Sequence, residues 1–192
     1  MIRFVLVLLA LSGSAAAVEL HIQFGALERM LAEQVFTQEG RRYVHGSKTN
    51  KCNFAYLEKP QVRGDGGRLR MKARFTGRSA LNVVGQCVGL GDAFDLVITA
   101  LPVYKNGALS LQEVKVGSEG KSGYYIRRVC EAMQASLVRD FKYSLEAEAQ
   151  RMLEGAGAQP GYKREARKFT VPDIRVTNDA LVLQVDFELT VK

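Results

Sequence analysis

Between residues 124 and 153 apolar side chains recur at helical spacing: Ile126, Val129, Cys130, Met133, Leu137, Phe141, Leu145, Ala149 and Met152. Steps of three and four put them on one face of a helix. Arg128, Glu131, Arg139, Lys142, Glu146 and Gln150 fall on the other face. Read as a single amphipathic helix of roughly 30 residues, the stretch would run about 45 Å. In its second half the steps are mostly four, so the stripe drifts by roughly a quarter turn. Packing supplies most of a helix's stability, so a helix this long demands an equally long partner surface. The rest of the chain reads as that partner.

The clearest strand is 68–79. Leu69, Met71, Ala73 and Phe75 alternate with Arg68, Arg70, Lys72 and Arg74, and Arg78 extends the basic side. Strict period two means one buried and one solvated face, as in an antiparallel sheet with one wet side. A preceding strand, 53–63, is interrupted at Pro60, which suits an edge or a bulge. Asp65-Gly66-Gly67 reads as the hairpin turn between them. After a Gly-rich connection at 85–91, a strand at 93–104 is apolar on both sides through Val97 to Val103 and is expected to be central. Asn106-Gly107 predicts a two-residue hairpin. The returning strand changes phase, since Leu109 and Leu111 are followed by Val114 and Val116. A one-residue slip would swap faces, so a β-bulge is predicted near Gln112-Glu113.

The flanks are simpler. Residues 18–24 read as a short extended segment and 24–38 as a first helix, stopped by Gly40. Residues 41–51 read as a polar loop. After the long helix, 162–168 read as exposed and basic, 169–176 as a strand and Asn178-Asp179 as a turn. The chain then closes on Leu181, Leu183, Val185, Phe187, Leu189 and Val191 in alternation with Asp186 and Glu188, which are expected to face arginines across the sheet.

Residues 1–17 are excluded from the fold. Arg3, an apolar run at 4–11 and Ala15-Ala16-Ala17 form the pattern of a cleaved secretory signal peptide. The run is too short to span a bilayer. The expected product, 18–192, is one exported domain in the periplasm or secreted, and no Cys follows the leader to take a lipid anchor. Export permits a disulfide. Cys52 and Cys87 flank predicted strands and could meet, whereas Cys130 lies on the apolar side of the helix and reads as a buried thiol. The sequence leaves that pairing open.

The order of elements resembles the tubular lipid-binding (TULIP) superfamily of BPI-like lipid-transfer proteins. The nearest pattern is that of the YceB-like bacterial periplasmic lipoproteins. The resemblance runs over roughly residues 20–191. It rests on the helix from Gly25, the alternating strand 68–79, and Ala100-Leu101-Pro102-Val103-Tyr104 with Asn106-Gly107 and Leu109-Ser110-Leu111, followed by the long helix and closing strands. It implies an α+β fold in which a strongly curved antiparallel sheet wraps one long helix, with a shorter N-terminal helix, and an apolar slot between them holds lipid tails. Leu27, Met30, Leu31, Met71, Phe75, Leu96, Ile98, Met133, Leu137 and Phe141 are the candidate lining. The chain lacks the lipoprotein Cys of the YceB-like pattern.

Catalytic chemistry has little to stand on. The two His, His21 and His45, have no ligand spacing with Cys52, no Gly-x-Ser-x-Gly elbow occurs, and 85–91 is neither a phosphate loop nor a dinucleotide fingerprint. Neither a cofactor nor a metal is expected. Arg63-Gly64-Asp65 matches an integrin-binding tripeptide, a length that recurs by chance. The formal charge is +7, from 27 Lys and Arg against 20 Asp and Glu. Two roles therefore stand side by side. One is a carrier of a lipid or other long apolar ligand. The other is a fully packed envelope module whose basic row (Arg68, Arg70, Lys72, Arg74, Arg78) meets an anionic membrane or an acidic envelope protein. A homodimer fits either role. Nucleic acid does not, because the chain reads as exported and aromatics do not interleave with the basic row.

Overall fold

The computed structural model describes residues 18–155 and 164–191. In chain order the elements are β1 (Val18–Gln23), α1 (Phe24–Gln34), β2 (Arg41–His45), β3 (Asn53–Asp65), β4 (Arg68–Val83), β5 (Gln86–Lys105), β6 (Ala108–Glu119), α2 (Tyr124–Asp140), β7 (Tyr143–Ser144), α3 (Leu145–Gly155), β8 (Arg164–Val176) and β9 (Ala180–Val191). The signal-peptide stretch 1–17 and the segment 156–163 lie outside the described residues.

All strand pairs are antiparallel and form two sheets, one ordered β2-β3-β4-β5-β6-β7 and one ordered β1-β9-β8. The larger sheet is strongly curved, a half-barrel packed against short helices. Its length makes curvature necessary. β5 has 20 residues, about 65 Å if straight, and twisted strands of that length must coil to keep one face dry. Two irregularities assist. β3 shifts register between Glu58 and Gln61, where Lys59 takes φ 53° before Pro60. In β6, Thr99 faces Lys115 but Leu101 faces Gln112, and Glu113 takes φ 48°. The extra residue there returns Val114 and Val116 to the face shared by Leu109 and Leu111, so the phase change in the sequence is absorbed by the predicted bulge. As expected, β5 is central.

Several expectations are corrected. The long helix at 124–153 is two helices. Phe141 is extended (φ −77°, ψ 107°), and Tyr143 and Ser144 pair with Leu109 and Ala108 at the start of β6. Each four-residue step rotates the stripe by about 40°, so from Met133 to Ala149 the drift reaches about 160°, more than the quarter turn expected from the pattern. A straight helix would carry its second half off the sheet, whereas the break re-aims it. Ser144 begins the new helix: its Oγ accepts the Ala147 N–H at 3.3 Å, and Glu146 and Glu148 occupy the positive first turn.

The 41–51 loop begins instead with an edge strand, β2. The turn at Glu39-Gly40 (φ 56° and 75°) feeds it onto β3, where Arg41 Nε donates to Glu58 at 3.2 Å. The connection at 85–91 is strand as well. Its turn is Val84-Gly85, and Gly89 lies so close to β4 that a Cβ there would sit 2.4 Å from the Ser79 carbonyl oxygen. Residues 164–168 belong to β8 rather than to a basic loop. α1 stops at Gln34 instead of 38, because Val35 and Phe36 N–H both bond the Leu31 carbonyl and turn Phe36 into the core. β9 is buried on both faces from Ala180 to Leu183, not on alternate residues. Glu188 sits opposite Arg167 of β8 in the register and pairs with Lys168 Nζ at 2.5 Å, while Asp186 sits opposite Thr170.

The core has three parts. Phe36, Leu57, Ala73, Phe75, Phe94, Leu96, Ile126, Cys130 and Met133 join the sheet to α2. Phe24, Val62, Val171, Leu181, Leu183 and Val185 join it to the small sheet. Ile98, Ala100 and Val114 form the third, with Leu137 against them. The small sheet therefore caps one end of the half-barrel, where the hairpin turns Gly66-Gly67 and Asn106-Gly107 lie. A Cβ on Gly64 would fall 1.8 Å from the Thr177 carbonyl oxygen, so backbone meets backbone there. Tyr104 Oη donates to the Phe169 carbonyl at 3.2 Å, and Phe24 N–H to the Asp179 carbonyl at 3.1 Å.

Candidate functional site

The core-facing side of β4 and β5 follows from their alternation. Met71 is opposite Ile98, Ala73 opposite Leu96 and Phe75 opposite Phe94, so one continuous apolar strip runs along the two central strands. Helix α1 packs over β3 on one flank and α2 over β6 on the other. Glu28, which the helical pattern puts outside, reaches from α1 to accept the Val62 N–H at 2.6 Å and ties that flank together. The ten candidate lining residues divide in two. Phe75, Leu96, Ile98 and Met133 are buried in the packed core. Leu27, Met30, Leu31, Met71, Leu137 and Phe141 are only half-buried. Leu31 and Met71 each contact two of the core clusters, so they lie at the junctions.

The outer side of the same strands is polar. Arg68 pairs with Glu113, Arg70 with Asp65 at 3.7 Å and Glu119 at 3.9 Å, Lys72 with Glu119 at 2.5 Å and Asp95 at 3.1 Å, and Arg74 with Asp95 at 3.1 Å. Only Arg78 of the five has no such acid against it among the described residues. The geometry follows from register, because β4 lies beside β5, which carries Asp95, and β6 brings Glu113 and Glu119 one strand further on. The cations hold these carboxyls below their ordinary range: Lys72, then Arg74, act on Asp95; Lys72 acts on Glu119, and Arg68 on Glu113. The same contacts push Lys72 upward, chiefly through Glu119. Beside this network lies a shallow depression of about 370 Å³ lined by Arg70, Val97, Thr99, Lys115 and Glu119. Further along the outer side, Phe54 stacks on Tyr56, Tyr43 meets Tyr56 at a tilt, and the Arg41 guanidinium lies 4.6 Å from the Tyr56 ring.

Cys52 and Cys87 form a disulfide, while Cys130 is a free thiol buried in the first core cluster, where burial raises its pKa. Among the described residues no group of three or more His, Cys, Asp and Glu could hold a metal, and no helix is long and apolar enough to cross a membrane. His21 lies beside Glu19, and Gly64 of the Arg-Gly-Asp tripeptide is pressed against Thr177.

One feature escaped sequence reasoning. Beyond Ser79, where β3 ends, β4 and β5 continue as a two-stranded ribbon, and the side chains on its core-facing side are exposed. Leu81 is 76% exposed and Leu90 74%, with Val83 and Val88 also exposed. The signal was present as Leu81, Val83, Val84, Val88 and Leu90, but glycines at 85, 89 and 91 made the segment read as a loop. No protein-family model matches the chain, and no curated protein or solved structure matches it.

Proposed function

We propose that the protein is an exported binding protein of TULIP-like type that holds a lipid or other long apolar ligand between its helices and the central strands β4 and β5. The observation that carries this reading is the half-burial of Leu27, Met30, Leu31, Met71, Leu137 and Phe141. Leu27, Leu31, Met71 and Leu137 pack against the core clusters yet retain solvent contact where a closed core would remove it. Two of the half-buried residues are methionines, whose unbranched side chains adapt to irregular apolar shapes. A curved sheet flanked by helices on opposite sides suits a long ligand lying along the strands. Binding would be non-covalent, driven by apolar burial at about 25 cal/mol per Å².

The basic row supports the alternative role less well, since Asp65, Asp95, Glu113 and Glu119 offset four of its five cations. Native mass spectrometry of gently purified protein, followed by organic extraction, tests the ligand reading. A bound mass that extracts as lipid is expected. Met71→Trp should reduce it without unfolding the protein. A ligand-free protein that also fails to bind fluorescent fatty acids and phospholipids would end the proposal.

A further inference from the structure

The ribbon of residues 79–91 carries a second site. One of its faces presents Leu81, Val83, Val88 and Leu90, and the other presents Ala80, Asn82, Cys87 and Gly89. Helix α2 starts over the base of the ribbon, where the Tyr125 hydroxyl lies 3.1 Å from where a Gly77 Cβ would be. Past that point the apolar face is bare. The disulfide from Cys52 to Cys87 clamps the ribbon's other face to the start of β3, so the projection is held in place.

The turn at its tip departs from the other hairpins. Gly66-Gly67 and Asn106-Gly107 use residues that accept positive φ. Here Val84 takes φ 49° while 98% exposed. A β-branched residue in the left-handed region is strained, and one this exposed gains nothing from packing in return. Such a residue at a tip points to function rather than folding.

Charge identifies the occupant. No carboxylate occurs between Asp65 and Asp92. Arg78 lies at the ribbon's base on the face opposite Leu81 and Leu90, Lys51 adjoins the disulfide, and at the base of the apolar face Asp92 is paired with Lys121. At the start of α2 Tyr124 is exposed, with the Arg127 guanidinium 5.6 Å from its ring. An apolar tip with cations and tyrosine only at its base matches the layering of a membrane–water interface, with aliphatics below the headgroups and tyrosine and cations among them. The patch is roughly 10 Å wide and about 17 Å long at standard strand spacings, much smaller than the roughly 800 Å² per partner of a stable protein interface.

We propose that residues 79–91 are a membrane-docking tip that seats Leu81, Val84 and Leu90 at the headgroup boundary of an anionic bilayer. This goes beyond the ligand reading and can fail separately, because a tip variant should still co-purify with any lipid the wild type holds. The chain contains no Trp, so Val84→Trp and, separately, Leu90→Trp are clean reporters in the full chain. With vesicles of phosphatidylglycerol in phosphatidylcholine, both should shift to shorter emission wavelength, and binding should weaken as salt rises. The double variant Leu81→Ser with Leu90→Ser should lower vesicle partition at least tenfold, with an unchanged unfolding midpoint. Equal partition of that variant, equal binding to pure phosphatidylcholine, or reporters that stay water-exposed would overturn the proposal. So would a homodimer that the double variant dissolves while wild type ignores vesicles.

Discussion

The two ends of the half-barrel are built from the same strands and end up opposite in character. At the capped end β4 and β5 meet the small sheet, and Leu183 is 1% exposed. At the other end the same two strands keep their alternation and run on into solvent, leaving Leu81 and Leu90 bare. Alternation states which side of a strand is apolar, but whether that side is covered depends on what the rest of the chain lays over it. The turns differ in the same sense. Gly66-Gly67 and Asn106-Gly107 are suited to their conformation, whereas Val84-Gly85 is not. The capped end buries its apolar side chains, and the bare end leaves them in solvent.

The contrast can be broken most strongly at Leu183. Leu183→Ala should cost up to about 5 kcal/mol, as for a large buried aliphatic, while Leu81→Ala should lie within about 0.5 kcal/mol of wild type; urea unfolding of the two variants measures the gap. Removing the disulfide with Cys52→Ser and Cys87→Ser comes next. Closing 35 residues of chain is worth about 3–4 kcal/mol in the chain-entropy account. Hydrogen exchange should quicken in residues 79–91 while β9 stays protected. Equal loss of protection at both ends would mean that the ribbon folds as one unit with the cap. Val84→Asn should act in the opposite direction, raising stability by up to about 1 kcal/mol as turn strain is relieved, and weakening vesicle capture at the same time.

The smallest effect belongs to the outer face. Folding lowers the pKa of Asp95, Glu113 and Glu119, so their contribution is complete above the unfolded carboxylate values and is lost as pH falls through the folded ones. These groups are exposed and screened. The midpoint of thermal unfolding should therefore decline only slightly below about pH 4, near the unperturbed carboxylate range, and Glu119→Gln should flatten the decline. Salt should flatten it too.

Local patterns were legible wherever the physics is local. Asn106-Gly107 and Gly66-Gly67 carry their turn geometry in their own φ preferences. The phase change between Leu111 and Val114 required a bulge whatever lay around it, and Pro60 required an irregularity in β3. Among the misread segments, two had local cues in conflict. Gly89 and Gly91 signal a loop, yet here glycine serves close approach to β4. Residues 124–153 have a continuous apolar stripe, but Ser144 and the acids at 146 and 148 mark a new start. The stripe is the stronger local signal, and only the curvature of the sheet under its drifting second half makes the break favourable.

The candidate site was legible in part. The core-facing identity of Met71, Phe75, Leu96 and Ile98 follows from period two, and that of Met133 and Leu137 from helical spacing. Their division into buried and half-buried residues does not, because it depends on α1 and α2 settling on opposite flanks. Neutralisation of the basic row likewise depends on Asp95, Glu113 and Glu119 arriving from neighbouring strands. The sequence by itself determined the strands of clear alternation, the turns at Gly66-Gly67 and Asn106-Gly107, the irregularity at Pro60 and the bulge near Glu113, since these rest on interactions within a few residues. Only the tertiary structure decided that the small sheet closes one end, that the long stripe breaks at Phe141, and that the ribbon at 79–91 stands uncovered. Those outcomes depend on contacts between segments far apart in the chain, whose free energy no single segment contains.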